Sequence, residues 1–341
     1  MRSNIVVVGG YGKVGRMICE HLANKYPGKV YAAGRNHHKA EEFSKAMHSQ
    51  VLPLAFDVST DEEPAWLSDA RIVVVCLDLA NDRFASMCLE EGIQYVDITA
   101  NEHYIYKMKA LSKYSNLGTG VVSVGLAPGL TNLLAQQAVN MEQNISQIDI
   151  SIMLGSGEKH GPAAVDWTLE NMVHAFIHKK MVHFNSSIGT RATYQFPFSD
   201  QYTLPTTLHV PEVTTRLCFD SSAFTHMIAL LRFLKITKVM KSKNVRKVVT
   251  RLLEQSKIGT DAFAIKVDAY TPSGVIELSL NGSNQTKITA IVTSLITLAL
   301  YENNLPAGVF HIEELFELVT FSDTNVVIKL KEVDMNYSID L

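Results

Sequence analysis

The amino-acid sequence predicts an α/β fold, in which a Rossmann-like doubly wound parallel sheet is accompanied by a second α+β domain built on a largely antiparallel sheet. From the first residues to Val124, apolar strand patterns alternate with helical patterns, as parallel strands joined by helical crossovers require. Beyond Gln147, strand-like runs follow one another with few such crossovers, which is typical of antiparallel sheets.

The first strand-to-helix connection carries a glycine-rich fingerprint of the form GxGxxG. The β-branched run Ile5–Val8 has the pattern of a strand that is buried on both faces. Gly10 permits a tight turn, Gly12 lets a pyrophosphate approach the backbone, and Gly15 lets the following helix pack closely on the strand. The N–H groups at the start of that helix favour phosphate. We therefore predict dinucleotide binding by Gly10, Tyr11, Gly12, Lys13, Val14 and Gly15.

The end of the second strand indicates which dinucleotide binds. Proteins that bind NAD commonly place a carboxylate about 20 residues after the fingerprint, but here none precedes Glu41. Arg35 instead offers a planar guanidinium suited to a 2′-phosphate, which Asn36 or His38 could assist. The alternative is that Arg35 is a solvated loop cation. The pattern favours NADP over NAD, with Gly34, Arg35 and Asn36 as contacts.

Further cofactor contacts are expected where the later strands end, because ligands of doubly wound sheets bind outside the carboxyl ends of the strands. Asp57 could contact the adenine or could instead cap the following turn. The predicted contacts are Asp57 and Val58 near the adenine, Cys76 and Leu77 behind the phosphates and ribose, and Ile98, Thr99 and Ala100 toward the nicotinamide.

The sequence divides into two predicted domains. Residues 1–130 form the dinucleotide-binding domain, and residues 131–284 form a substrate and dimerisation domain. The apolar helix pattern from Lys287 to Tyr301 is too apolar to stand in water. We therefore expect a returning helix, residues 285–320, to complete the first domain.

These motifs together resemble the saccharopine dehydrogenase family. The resemblance covers nearly the whole chain, and its most distinctive part is the Pro-Gly-Leu-Thr-Asn turn after the sixth strand. The matching residues are Gly10–Gly15, Ala33–Arg35, Tyr95–Thr99, Ala127–Asn132, Gly308–Val309 and Glu313–Glu314. Ala127 stands where saccharopine reductases often have an acidic residue, so the turn is more similar to the lysine dehydrogenase and carboxynorspermidine synthase side of the family.

The resemblance implies an NADP-dependent oxidoreductase that acts by hydride transfer on the CH–NH group of an amino acid, an imine or an opine-like secondary amine. It also implies a small-molecule amine or amino-acid substrate. We further expect a homodimer formed through the sheet of the second domain, and the widely separated cysteines predict free thiols in a reducing compartment, the cytoplasm. Two alternatives stay open, namely a non-catalytic NADP-binding sensor and a peripheral membrane-associated protein.

Hydride departure from a carbon next to nitrogen requires a neutral amine, so we expect a base near the substrate. The polar loop that begins at Ser156 offers His160, which titrates in the useful range, and Asp166 if it is desolvated. Asp97, at a strand end on the nicotinamide side, is a third candidate. Each also has a purely structural alternative. His160 could cap a helix, Asp166 could lie on the solvent-exposed face of a helix, and Asp97 could be a buried acid that accepts hydrogen bonds from backbone N–H groups.

Two further residues are predicted to bind substrate. Lys159 could bind a carboxylate, and Asn132 could orient the substrate or merely cap its helix. His174 and His178 share an i, i+4 spacing but have no third ligand in the sequence, so we expect no metal site.

Composition and charge restrict the classes of partner that the chain can bind. The formal net charge of −3 argues against binding to nucleic acid, and the four cysteines have no zinc spacing. No transmembrane segment or signal peptide is predicted.

One segment is strongly basic. Residues 221–253 contain no acidic residue, and an apolar stripe runs through Val245, Val248, Val249, Leu252 and Leu253. The basic residues are Arg232, Lys235, Lys238, Lys241, Lys243, Arg246, Lys247 and Arg251. A packed amphipathic helix with a solvated basic side is favoured over binding to anionic lipid or to an acidic partner.

Overall fold

The computed structural model describes residues 2–60, 63–113, 118–158, 162–173, 178–242, 244–249, 259–322, 325–333 and 335–340. His160 and Lys159 lie outside these described residues. The chain forms two compact units. The first unit is Met1–Leu130 together with Thr286–Leu341, and the second unit is Thr131–Gln285.

The strands and helices follow the alternation that the sequence predicts. The strands are β1 Asn4–Val8, β2 Val30–Gly34, β3 Val51–Ala55, β4 Ala70–Val75, β5 Gln94–Asp97, β6 Thr119–Val122, β7 Gln147–Leu154, β8 Lys179–His183, β9 Thr190–Gln195, β10 Glu212–Phe219, β11 Ala262–Thr271, β12 Gly274–Ser283, β13 Gly308–His311, β14 Phe316–Phe321, β15 Asn325–Leu330 and β16 Met335–Asp340. The helices are α1 Lys13–Lys25, α2 His37–Ala46, α3 Arg83–Glu90, α4 Glu102–Ala110, α5 Thr131–Met141, α6 Pro162–Asn171, α7 Asp200–Thr207, α8 Ser222–Phe233, α9 Gln285–Glu302 and α10 Ile312–Leu315.

The first unit contains a seven-stranded sheet in the order β13-β6-β5-β4-β1-β2-β3. All its neighbouring strands pair in parallel. The chain leaves β1 for β2 and β3 on one side and then crosses to β4, β5 and β6 on the other, so the strand order reverses beside β1. Ligands of doubly wound sheets bind at such a reversal. The predicted α/β fold class is confirmed.

The core of this sheet explains its apolar strands. Every residue of Ile5–Val8 is at most 1% exposed, because helices cover both faces of the sheet. On one face, Phe84 of α3 and Met108 of α4 pack against Val73 and Tyr95.

Helix α9 packs back on the first unit. The Tyr301 hydroxyl donates to the Ser3 carbonyl oxygen at 2.9 Å, and the Arg71 guanidinium donates to the Tyr301 carbonyl oxygen at 2.6 Å. The returning helix is shorter than the predicted range of 285–320, because it ends at Glu302 and residues 308–311 add β13 to the parallel sheet. A three-stranded antiparallel sheet of β14, β15 and β16 follows, which the sequence analysis did not predict.

The second unit is built on a six-stranded sheet in the order β12-β11-β7-β10-β9-β8. Only β7 and β10 pair in parallel, and the other neighbours are antiparallel. The largely antiparallel second sheet is therefore confirmed. Among the described residues, no helix has the length and apolar character needed to cross a membrane.

Candidate active site

The glycine-rich loop between β1 and α1 has no room for side chains. A Cβ on Gly10 would lie 2.7 Å from the Val7 carbonyl oxygen, and one on Gly15 would overlap the Gly9 carbonyl oxygen and lie 2.8 Å from the Gly10 Cα. The Gly12 amide donates to the Gly9 carbonyl oxygen at 2.8 Å, which closes the turn. The loop therefore holds its conformation through backbone packing, as a phosphate-binding turn requires.

The first turn of α1 favours an anion. Its N-cap is Gly12, which has no side chain to satisfy the helix N–H groups, and its first turn has no acidic residue. Lys13 is exposed at the same end. This helix start, together with the closed loop before it, fits a dinucleotide pyrophosphate.

Tyr11 fixes the loop at the end of β2. Its hydroxyl accepts a hydrogen bond from the Asn36 amide at 2.9 Å, and its ring covers Gly34, where a Cβ would lie 2.6 Å from the ring. The Asn36 side chain accepts from the Lys39 amide at 3.1 Å and so caps α2. Arg35 lies between Gly34 and Asn36, which are both held in place in this way, and its side chain is exposed. The arrangement presents a guanidinium at the position where a dinucleotide ribose is recognised.

Asp57 lies beside this arginine but is also engaged locally. Its carboxylate accepts from the Ser59 amide at 3.0 Å and from the Ser59 hydroxyl at 2.7 Å. These hydrogen bonds, and to a smaller extent the charge of Arg35, lower the pKa of Asp57. The geometry thus supports the turn-capping alternative for Asp57, while contact with the adenine stays a prediction. Val58 packs against the core of the first unit.

The end of β4 lies next to the glycine-rich loop. The Cys76 amide donates to the Val8 carbonyl oxygen at 2.9 Å, and a Cβ on Gly9 would lie 3.1 Å from the Leu77 side chain. Burial and then the charge of Asp97 raise the pKa of the Cys76 thiol. Cys76 is therefore held as a neutral thiol at the sheet edge.

Asp97 ends β5 with a fully buried carboxyl group. It accepts from the Thr99 amide at 2.9 Å and from the Tyr95 hydroxyl at 3.1 Å, and Tyr95 lies 3.4 Å from the Tyr104 hydroxyl. Burial raises the pKa of Asp97 to about 7, against the lowering effect of these hydrogen bonds. The catalytic role stays a prediction, whereas the contacts indicate a role in positioning the backbone after β5.

That backbone contains the three residues predicted to face the nicotinamide. The Ile98 amide donates to the Val75 carbonyl oxygen at 3.3 Å, and the Thr99 hydroxyl donates to Asp78 at 3.2 Å. The same Thr99 oxygen accepts from the Asn101 amide at 3.2 Å, immediately after Ala100. Asp97 and Asp78 therefore both hold this turn, and Asp78 was not among the residues the sequence analysis selected.

A serine–histidine pair at the end of the sheet was also missed. The Ser123 hydroxyl lies 2.9 Å from Nδ1 of His311, just after β6 and at the end of β13. Burial lowers the pKa of His311 to about 4. The His311 amide donates to Glu314 at 2.6 Å, which fixes the start of α10. The two residues are 188 positions apart, so no local spacing could have predicted the pair.

In the second unit, Asp166 lies on α6 and forms an ion pair with a buried arginine. Its Oδ1 lies 2.5 Å from Nε of Arg246, whose side chain is 3% exposed, whereas the Asp166 side chain is 47% exposed. Arg246 also donates to the Met240 carbonyl oxygen at 2.9 Å. This arrangement supports a structural role for Asp166, and the predicted catalytic role has no further support from its described contacts.

We expect Asp166→Asn to lower the free energy of unfolding by about 1 kcal/mol, because the buried Arg246 loses its charged partner while solvent already screens the exposed Asp166. Urea unfolding checks this. The matched control is Glu170→Gln on the same helix, 3.8 Å from the arginine and 62% exposed, which should change the stability little. A large loss of turnover at unchanged stability would instead indicate a catalytic Asp166.

Other polar residues of the second unit are buried. Asn132, in the first turn of α5, is 0% exposed and its amide oxygen lies 3.4 Å from the Thr131 hydroxyl. Asp200, which the sequence did not single out, is equally buried. It accepts a hydrogen bond from the Thr215 hydroxyl at 2.6 Å, and burial raises its pKa. Substrate binding by Asn132 stays a prediction. No group of three or more metal-ligating side chains occurs among the described residues.

Comparison with known proteins identifies the first part of the chain. Residues 5–124 match the family model of the saccharopine dehydrogenase NADP binding domain. The resemblance inferred from the sequence is thereby confirmed, and the sub-branch stays a prediction. No curated protein sequence matches the chain.

Solved structures share the fold. The chain is similar to the apo, histidine-tagged saccharopine dehydrogenase (L-Glu forming) from Saccharomyces cerevisiae, with a TM-score of 0.60, 13% identity and coverage of 92% of this chain and 95% of that chain. It is also similar to the C. glutamicum DAP dehydrogenase in complex with DAP, with a TM-score of 0.46, 13% identity and coverage of 92% and 94%. The family match supports a domain that binds a nicotinamide cofactor, and the similarity to the yeast structure supports the fold.

Proposed function

We propose that this chain, whose residues 5–124 form a saccharopine dehydrogenase NADP binding domain, is an NADP-dependent oxidoreductase of a CH–NH group. The proposed substrate is an amino acid, an imine or an opine-like secondary amine. The closed glycine-rich loop followed by the uncapped start of α1 is the single observation that carries the proposal, because a bare backbone turn that leads into a helix N-terminus suits a pyrophosphate.

The residues present fit the cofactor. The backbone of Gly10–Gly15 would hold the pyrophosphate, and Arg35, presented by the Tyr11 and Asn36 anchors, would bind the 2′-phosphate. The turn that Asp97 and Asp78 hold would lie on the nicotinamide side. When bound, NADP supplies or accepts the hydride.

The protein contributes orientation and proton handling. An amine must be neutral before its neighbouring C–H gives up a hydride, so a base that accepts the amine proton near neutral pH is required. Asp97 has a pKa of about 7, but its carboxyl is fully buried and is hydrogen-bonded by Tyr95, Thr99 and Tyr104. We therefore propose that Asp97 positions the turn, and that the group exchanging the proton with the substrate lies elsewhere, with His160 the first candidate.

Cofactor preference tests the proposal most directly. Arg35→Ala should weaken NADPH binding about tenfold to a hundredfold and leave NADH binding unchanged, because only NADPH carries the 2′-phosphate that a charge-assisted hydrogen bond would hold. Fluorescence titration with both cofactors measures this. Lys45→Ala, which removes another exposed cation in the same unit, is the matched control. Equal weakening of both cofactors by Arg35→Ala would contradict the role in 2′-phosphate recognition.

The reaction class needs a separate assay. We expect oxidation or reduction of NADP(H) with at least one member of a panel of basic amino acids, polyamine conjugates and pairs of keto acid with amine, followed by NADPH absorbance. His160→Ala should reduce that turnover without changing NADPH affinity. Tight NADPH binding without turnover on any member would support the sensor alternative over the enzyme.

A further inference from the structure

The outer face of α8 is apolar. Phe233 is 75% exposed, Leu230 56%, Leu234 54% and Met227 47%. Their spacing of three and four residues places them along one side of the helix. A helix of a soluble domain normally turns such a side toward the core.

Rotation of the helix cannot hide this side, because the opposite side is already buried. Thr225 is 5% exposed and Arg232 is 7% exposed. The Arg232 guanidinium lies 5.9 Å from the centre of the Phe196 ring and donates to the Gln195 carbonyl oxygen at 3.3 Å. The helix thus buries an arginine and exposes the phenylalanine that follows it.

The exposed apolar character continues past the helix. Ile236, Val239 and Val248 are 48%, 52% and 57% exposed. Sixteen large apolar side chains of the described residues are exposed, and seven of them lie between residues 227 and 248. We call this set the apolar patch: Met227, Leu230, Phe233, Leu234, Ile236, Val239 and Val248. Such a concentration marks an interaction surface more often than isolated exposed residues do.

The charged side chains of the segment itself are all basic, and the nearest acidic groups in its contacts, Asp166 and Glu170 of α6, lie against Arg246. Lys235, Lys238 and Lys247 are exposed, and residues 221–253 contain no acid. The sequence pattern favoured a packed amphipathic helix with a solvated basic side. The described residues differ from it, because Arg232 and Arg246 are buried while Val248 is exposed.

We propose that the apolar patch and its three lysines dock on an anionic lipid bilayer. Interfacial membrane binding has two features. Apolar side chains enter the interface, and neighbouring lysines contact the anionic headgroups. A second copy of the chain fits less well, because a symmetric contact of this face with itself would bring the lysines together. The chain lies on the bilayer, since no described helix is suited to span it.

Flotation with vesicles tests the apolar part. The full chain should float with vesicles of phosphatidylcholine mixed with phosphatidylglycerol and stay behind with phosphatidylcholine alone. The double variant Phe233→Ser, Leu234→Ser should lower the partition at least about tenfold, because two exposed apolar side chains no longer enter the interface. The matched control is Met181→Ser, which removes a 56% exposed side chain elsewhere in the second unit and should leave flotation unchanged.

A second pair of variants tests the charge. Lys235→Gln with Lys238→Gln should lower the partition about 25-fold, since each lysine near the surface contributes about a factor of five. Lys29→Gln with Lys179→Gln, at exposed positions outside the apolar patch, is the control. NADPH binding should be the same in all variants, so failure of this proposal is distinguishable from failure of the proposed enzyme.

Three outcomes would overturn the proposal. The chain could fail to float with anionic vesicles, the serine variants could float as the unchanged chain does, or flotation could be the same with both vesicle compositions. If the chain does not float and Phe233→Ser abolishes a concentration-dependent dimer, the apolar patch is an interface between copies.

Discussion

Replacing Gly15 with alanine should abolish tight cofactor binding and destabilise the first unit. The added Cβ overlaps the Gly9 carbonyl oxygen and lies 2.8 Å from the Gly10 Cα, so backbone rather than a flexible side chain must move. Overpacking of this kind costs about 3 kcal/mol, which corresponds to a decrease in Tm of roughly 6–12 °C for a unit of this size.

Gly15→Ala should weaken NADPH binding by more than its loss of stability alone would suggest. A shifted loop no longer aims its amides at the pyrophosphate, and losing two charge-assisted hydrogen bonds raises the Kd for NADPH about a hundredfold. Calorimetric titration and a thermal melt measure the two effects on the same sample. NADH binding should weaken equally, because the pyrophosphate is common to both cofactors.

Gly28→Asn is the control for this variant. Gly28 has φ +73°, which asparagine tolerates, and a Cβ there meets no atom within 4 Å. Both Tm and Kd should stay close to those of the unchanged chain. If Gly15→Ala binds NADPH as tightly as Gly28→Asn does, the glycine-rich loop is not the pyrophosphate site.

The second prediction concerns the pH dependence of stability. Burial raises the pKa of Asp97 from 3.8 to about 7, so between these values the folded chain keeps a proton that the unfolded chain loses. Because the unfolded state then binds fewer protons, the free energy of unfolding falls as pH rises through this window. The full decrease is up to about 4 kcal/mol, and it should level off above the folded pKa.

Asp97→Asn should remove this slope. An amide does not ionise, and its oxygen can still accept from the Thr99 amide at the place where Asp97 accepts at 2.9 Å. The altered contact with Tyr95 should cost about 1 kcal/mol of this gain in stability. We therefore expect the variant to be about 2–3 kcal/mol more stable than the unchanged chain at about pH 8. Urea unfolding at several pH values measures both curves.

The exposed Asp69 of the same unit provides the comparison. Asp69→Asn should leave the slope in place, because it leaves the buried carboxyl group of Asp97 intact. An Asp97→Asn variant that keeps the slope would show that another group titrates. If its stability is unchanged at every pH but turnover is lost, Asp97 acts on the substrate and the positioning role is wrong.

Local patterns were sufficient for much of the first unit. The run Ile5–Val8 and the spacing of Gly10 and Gly15 predicted the strand, the turn and the helix, because each of these depends on neighbours within a few residues. The extent of the returning helix was overestimated. Its apolar pattern ends near Tyr301, and residues 308–311 became a strand because the sheet edge at β6 was open to them.

The site was less predictable than the fold. Asp97 could be chosen from its place at a strand end, but its burial depends on Tyr95 and Tyr104, which lie on a strand and a helix. Asp166 was chosen because it follows a polar loop, but its ion-pair partner Arg246 is 80 residues away along the chain. A sequence pattern gives no information about such a pairing.

The sequence by itself determined the order of strands and helices and the bare glycine loop that implies a dinucleotide. These follow from backbone geometry and from the period of apolar residues, which are local properties. Only the tertiary structure decided that Asp97 is buried, that Ser123 meets His311 and that α8 turns Phe233 outward while Arg232 faces inward. Burial and the pairing of distant side chains depend on which elements pack together, and that is settled by the whole chain at once.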